Sequence, residues 1–314
     1  MNSKLSNNTI SERSELSQKI KAEALSLGFS ACGIAKAEPV SADVANHLKK
    51  WLHNRYNADM DYMNNYTDKR LDPRLLMDGL KSIVCVALNY YPQKRIPDNE
   101  LQFAAYAYGN DYHDIVRSKL KLLAEKSGVT NYRAFCDSAP VLERYWAVQS
   151  GIGWTGRNHQ LIIPKAGSMF FLGELFLDIE LDYDKPQINR CGKCNACIEV
   201  CPTHAITTDK EIDANLCLSY QTIENRGPIP QNITTAMGDT IYGCDKCQKV
   251  CPWNRFAVPT KEPELQPKEE LMAMTKDKWY SLSEDDYKRL FKGSAVKRVK
   301  YTGLMRNIQA VKDK

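Results

Sequence analysis

The sequence predicts an α+β fold whose first 184 residues form one unit, followed by a cysteine-rich segment and a helical, basic tail. Three observations carry this. Residues 1–184 mix strand-like apolar runs with helical periodicities but lack strict βαβ alternation. Composition changes abruptly at Asp184-Lys185-Pro186, beyond which lie eight of the eleven cysteines. Residues 287–312 hold eight Lys or Arg and no Asp or Glu. The chain has 314 residues and 43% hydrophobic composition, enough for one large and one small unit around a sizeable core. The boundaries read as 1–184, 185–258 and 259–314.

Thr9 and Glu12 stand in capping-box spacing ahead of Leu16, Ile20 and Leu27 on one helical face, which predicts a helix over 9–27 ending at Gly28. Ser82 to Tyr90 is a short apolar, β-branched run expected to form a buried strand, and Asn131 to Cys136 resembles a second. A helix is expected between them over Asp111–Lys126. Leu161–Pro164 and Met169–Leu181 read as further strands. Residues 260–270 look like a linker, and 283–311 like one or two terminal helices carrying the basic face. Such a face is more often solvated than a footprint for a polyanion.

No apolar run reaches the roughly 18–20 residues that a membrane helix needs, and the N-terminus is polar with no apolar signal segment. A cytoplasmic protein without membrane contact is expected, so the cysteines are read for metal before disulfides. Cys191-x2-Cys194-x2-Cys197-x3-Cys201-Pro202 is the bacterial ferredoxin run, in which three close thiolates hold one cubane and the fourth reaches the other. Cys217 followed by Cys244-x2-Cys247-x3-Cys251-Pro252 repeats the ending, with its first cysteine displaced far upstream. By the crossing rule, Cys191, Cys194, Cys197 and Cys251 are expected to ligate one [4Fe-4S] cluster, and Cys201, Cys217, Cys244 and Cys247 the other. Structural zinc uses similar pairs, but three cysteines spaced two apart before Cys-Pro favour iron–sulfur. Cys32, Cys85 and Cys136 lie in or beside strand-like runs and read as small core hydrophobes.

Two motifs point to chemistry without supporting it. Gly151-x-Gly153-x-x-Gly156 satisfies a dinucleotide fingerprint, yet a helix precedes it and a strand follows, the reverse of the required order. It is read as a turn that brings backbone close to a neighbour. Asp111-Tyr112-His113 begins like one cobalamin signature but has Val116 where Gly is needed, so His113 is read as a helix N-terminal residue rather than a cobalt ligand.

Beside the cysteines stand Lys69-Arg70-Leu-Asp-Pro73, Tyr108-Gly-Asn-Asp-Tyr-His113, Cys136-Asp137-Ser138, Gly156-Arg-Asn158, Gly167-Ser-Met-Phe-Phe-Leu-Gly-Glu174 and Tyr242-Gly-Cys-Asp-Lys-Cys247. From about residue 12 to 310 the chain resembles the epoxyqueuosine reductase family. The resemblance implies a cobalamin-binding α+β module, similar to that of reductive dehalogenases, joined to a ferredoxin-like double-cluster domain. It implies reduction of epoxyqueuosine to queuosine in a tRNA anticodon, with electrons passing through two [4Fe-4S] clusters to cobalamin. Many relatives continue into a helical-repeat tail, whereas this chain stops after the basic segment, so some tRNA contacts are expected to differ. A monomer fed by an unidentified electron donor is expected.

Matched residue by residue, the resemblance makes Asp137 the proton donor, with a pKa raised by burial beside the corrin. From the sequence alone an Asp ahead of Pro140 reads as a helix cap. Arg144 suits either a phosphate or surface carboxylates. For cobalamin the resemblance implies Arg70, Ala104, Asp137, Leu161, Leu172, Ser219, Cys244 and Asp245; Arg70 also suits a turn cap, and Asp245 a partner for loop amides. For tRNA it implies Arg226 in the insertion Glu224-Asn-Arg-Gly227, and Lys297, Arg298, Lys300 and Arg306 in the tail. The competing readings are a cytoplasmic enzyme like a reductive dehalogenase and a ferredoxin-type electron carrier. The acid-free tail disfavours the first, and a large N-terminal unit the second.

Overall fold

The computed structural model describes residues 2–207 and 211–313, with side chains from residue 11 onward. Its centre is a four-stranded sheet in the order Ala31–Lys36, Ser82–Asn89, Phe170–Leu177, Tyr132–Phe135. Every neighbouring pair is antiparallel. Side chains of a strand alternate between faces, and both faces here are covered. Val84, Val86 and Leu88 join Leu175 and Leu177 under the helices Asn2–Ser26 and Tyr112–Ser127. Ile83, Cys85 and Ala87 join Phe176 on the other face, under Trp146 of the helix Glu143–Gln149. That double cover explains why the run from Ser82 is apolar without alternation.

The α+β class and the principal strands follow the sequence reading, with boundaries shifted by a few residues. The first helix begins at Asn2, so Thr9 lies inside it rather than at its cap, and it closes at Gly28, whose φ of +91° suits glycine. The helix over 112–127 starts where expected: the Asp111 side chain accepts the His113 N–H at 3.1 Å. Cys85 and Cys136 are buried and Cys32 is half-buried in the sheet.

Residues 260–270 are not a loose linker. Thr260 N–H donates to the Tyr91 carbonyl at 2.8 Å, Leu265 is buried, and a Cβ on Gly109 would come within 2.7 Å of the Glu264 carbonyl oxygen and Leu265 Cα. The tail shares the main core. Phe103 stacks between Tyr242 and Trp279, and Phe291 also stacks on Phe103. The short strand Thr240–Tyr242 pairs in parallel with Gln102–Phe103, stitching the cysteine segment to the first unit. The terminal helix Lys300–Lys312 packs on that strand and on the helix Leu218–Ile223.

Candidate active site and cluster segment

Each Cys-x2-Cys-x3-Cys run turns into one short helix, Ala196–Glu199 or Lys246–Lys249, and these pack against each other. Cys191, Cys194, Cys197 and Cys251 line one cavity of about 260 Å³. Burial pushes the Cys197 thiol up, and the fields of Cys251, Cys191 and Cys194 add to it. The second neighbourhood joins Cys217 to Cys201 and Cys244 to Cys217, and Cys247 feels both Cys244 and Cys217. Amides point at these sulfurs: Ala205 N–H donates to Cys201 Sγ at 3.3 Å, and the N–H groups of Ser219 and Tyr220 to Cys217. Among the described residues, no group of three or more His, Cys, Asp or Glu side chains could hold a single metal ion. A cubane instead takes one thiolate at each of four separated irons, and this donor set fits two of them.

The glycine-rich turn serves the same segment. Helix Glu143–Gln149 precedes it, the short strand Trp154–Thr155 runs within it and strand Leu161–Ile162 follows, so it has no dinucleotide geometry. A Cβ on Gly151 would meet the Lys185 carbonyl oxygen at 2.6 Å, and one on Gly153 the Ile162 oxygen at 2.3 Å. Beyond the turn, Arg157 bonds Gly192 O at 2.8 Å and the Asn195 side chain, while Asn158 Nδ2 donates to Cys247 O at 3.3 Å.

Asp137 follows the strand Tyr132–Phe135 in a left-handed conformation, φ +61°. It is not a helix cap, since the next helix begins at Glu143 with Leu142 at its cap. Tyr112 donates its hydroxyl to Asp137 Oδ2 at 2.5 Å, and His113 Nε2 lies 3.1 Å from the same oxygen. His113 Nδ1 lies 2.6 Å from Asp111 Oδ1. Burial opposes charge on His113, but its two carboxylate partners outweigh this and raise its pKa to about 9. Burial acts to raise Asp137 as well, yet hydrogen bonds from His113 and Tyr112 and the charges of His113 and Arg144 leave it below the ordinary value. Within the protein's own hydrogen bonds, both ring nitrogens of His113 face carboxylates, which favours a protonated His113 and a charged Asp137. Exposed Arg144 acts on Asp137 through its charge.

Arg70 is buried in the helix Thr67–Leu71; its Nη2 donates to the Tyr62 carbonyl at 3.2 Å, and its Nε has no partner in the protein. That orphaned buried donor is the kind of group that a polar atom of a bound ligand satisfies. The Tyr62 phenol feels Glu224, Arg298, Asp137 and Arg70, which places Arg70 and Asp137 in one neighbourhood. Ala104, Cys244 and Asp245 line a separate cavity of about 320 Å³. There Asp245 Oδ2 accepts the Ala105 N–H at 2.7 Å, and burial raises its pKa. Leu161 is buried and Leu172 half-buried in the core beneath Trp146. Half-exposed Ser219 lies in the first turn of the helix Leu218–Ile223, whose N-cap position is Cys217.

The structure brings the insertion and the basic tail together. Arg298 forms a two-point pair with Glu224, 2.9 and 2.7 Å. Arg306 reaches the carbonyls of Gln221, Asn225 and Gly227, so its guanidinium staples the insertion to the terminal helix. Arg226, Lys297 and Lys300 are exposed. No described helix is long and apolar enough to cross a membrane.

Two family models match the chain: "4Fe-4S double cluster binding domain" over residues 190–254 and "Epoxyqueuosine reductase QueG, DUF1730" over residues 70–138. The epoxyqueuosine reductase of Cellulophaga algicola is 47% identical over 309 residues, covering 97% of this chain and 100% of that protein. The chain belongs to the epoxyqueuosine reductase family. The family's Escherichia coli member is 39% identical over 304 residues, 94% of this chain and 80% of that protein. A crystal structure of an epoxyqueuosine reductase with an epoxyqueuosine-modified tRNA-Tyr stem loop superposes with a TM-score of 0.86 at 28% identity, covering 95% of this chain and 80% of that one.

Three site groups of this epoxyqueuosine reductase family member escape a reading of its sequence. His113 reads there only as a helix N-terminal residue; the available signal is Asp111 two residues before it, a carboxylate already placed to clamp the ring. Glu174 stands among Phe, Leu and Gly in a buried strand, a charge position that asks for a partner. Glu224 gives no local signal, because Arg298 lies 74 positions away.

Proposed function

We propose that this chain reduces epoxyqueuosine to queuosine in the anticodon of tRNA. The observation that carries the reading is the His113–Asp137 pair, a proton-bearing site in a chain that also holds eight cysteines in double-cluster spacing. Removing an epoxide oxygen as water consumes two electrons and two protons and leaves an alkene. Cys191, Cys194, Cys197 and Cys251 would hold one [4Fe-4S] cluster and Cys201, Cys217, Cys244 and Cys247 the other. Arg70, Ala104, Asp137, Leu161, Leu172, Ser219, Cys244 and Asp245 would hold cobalamin. When bound, these groups supply single electrons and a low-valent metal nucleophile for carbon.

The chain's own residues handle the proton. His113 is protonated at neutral pH, and Asp137, bonded to its Nε2, keeps 56% of its own side chain exposed. As the epoxide oxygen gains charge, the His113–Asp137 pair delivers a proton to it through the Asp137 carboxyl. Tyr112, whose pKa burial and Asp137 push up, stays protonated and orients that carboxyl. Arg226, Lys297, Arg298 and Lys300 would meet tRNA phosphates, and Arg306 supports them by fixing the insertion.

Anaerobic incubation of the cluster-loaded protein with cobalamin, a reductant and epoxyqueuosine-containing tRNA tests this. Nucleoside mass analysis should show queuosine only when cobalamin is added. Intact clusters and bound cobalamin without conversion would overturn the reading.

A further inference from the structure

We propose that Glu143 and Glu174 hold one proton between them beneath the Asp137 loop, and that Glu143 is a positioning residue fixing Asp137 through its backbone N–H. Glu174 lies mid-strand, paired with Cys85 on one side and Phe135 on the other, and is fully buried. Neither of its carboxyl oxygens receives a hydrogen bond from any N–H or O–H group of the protein, apart from what the Glu143 carboxyl beside it can supply. Two carboxylates cannot bond each other; a carboxylic acid and a carboxylate can. Two adjoining carboxyls, Glu174 fully buried and Glu143 half-buried, with no cation between them therefore keep a proton.

The proton belongs on Glu174. Glu143 Oε1 already accepts the Asp137 N–H, and Arg144 is close enough to favour its charge, whereas Glu174 feels only the carboxyls of Glu143 and Asp137. Burial and the neighbouring carboxyls raise both acids above the ordinary range, although Arg144 and the Asp137 N–H pull Glu143 the other way. The chain of bonds then runs from the Glu174 O–H to the Glu143 carboxylate, and from there to the Asp137 amide. Asp137 needs that anchor: its φ of +61° is costly for a residue with a Cβ, and in this conformation its carboxyl reaches Tyr112 and His113. The inference rests on the proposed reaction only for why Asp137 must be held.

Infrared spectra of the full cluster-loaded chain at neutral pH should contain a neutral carboxylic acid C=O band that shifts in D2O and is missing from Glu174→Gln. Amide exchange at Asp137 should stay slow in Glu174→Gln, whose side-chain amide still donates to Glu143, and rise at least tenfold in Glu143→Ala. In Glu143→Ala, kcat should fall at least tenfold with KM unchanged, and Glu143→Gln, which keeps an acceptor oxygen, should recover part of it. A band unchanged in Glu174→Gln, or equal exchange at Asp137 in wild type and Glu143→Ala, would overturn the inference. The band and the exchange rate need no substrate, so failure of the proposed reaction leaves them readable.

Discussion

His113 and Asp137 form an ion pair across 24 positions of sequence, Nε2 to Oδ2 3.1 Å, with Asp111 clamping the opposite ring nitrogen at 2.6 Å. Two carboxylates on one imidazole hold it as imidazolium well above its ordinary titration range, which sets a pH limit. The folded pKa is about 9 against an ordinary 6.5. The pair's contribution to stability is therefore complete below about pH 6.5 and disappears as pH rises through about 9. Turnover should lose its proton source over the same upper limb. Melting temperature and kcat, each followed from pH 6 to 10, should decline together in wild type and lose that decline in His113→Ala. An alkaline limb that survives in His113→Ala would rule out His113 as the titrating group.

Asp137→Asn separates proton delivery from assembly. The amide keeps the size of the side chain but cannot relay a proton, so turnover should fall about 100-fold or more while both clusters and cobalamin binding persist. His113 should titrate lower, having lost one of its two anionic partners. Nucleoside analysis and NMR titration of His113 check the two effects. Near-normal turnover would remove Asp137 from the proton path.

These two residues also mark the limit of what the chain's sequence discloses. The cysteine runs are legible because ligand spacing within a loop is local: Cys191 to Cys201 determines its own geometry. Caps are legible for the same reason, as at Asp111. The left-handed Asp137 is not, since its conformation is imposed by Glu143 and by Tyr112 and His113 from another helix. Residues 260–270 mislead because polarity and proline suggest a linker, while a single apolar position, Leu265, is enough to seat the segment against Gly109.

Gly109→Ala tests that seating. The added methyl would meet Glu264 and Leu265 backbone at 2.7 Å, so the segment must lift. A loss of about 1–3 kcal/mol in unfolding free energy is expected. Denaturant melts of the cluster-loaded protein measure it, and an unchanged midpoint would mean that the tail docks without that seat.

In the cluster segment, the cavity shared by Cys191, Cys194, Cys197 and Cys251 predicts which centre each substitution damages. Cys251→Ala should perturb the cluster of the first run although it lies in the second, and Cys201→Ala should do the reverse. Spin-resonance spectra of the reduced variants, with iron counted per chain, distinguish crossed from uncrossed ligation. The same altered signal in Cys251→Ala and Cys247→Ala would contradict crossing.

For the basic face the geometry separates two kinds of arginine. Lys297, Arg298 and Lys300 project outward, whereas Arg306 is spent on three carbonyls of the insertion. Replacing the first three with Ala should weaken tRNA binding and reduce the slope of log affinity against log salt by about 0.7–0.9 for each phosphate that is no longer neutralised. Arg306→Ala should instead loosen residues 221–227 and lower the melting temperature. Glu224→Gln adds a sharper arm: it releases Arg298 from its carboxylate without removing it, so affinity should hold or rise, most visibly at low salt. Binding isotherms with a tRNA anticodon stem loop at several salt concentrations decide between them. If Glu224→Gln weakens binding as much as loss of Arg298, the pair acts as a scaffold and Arg298 does not engage RNA.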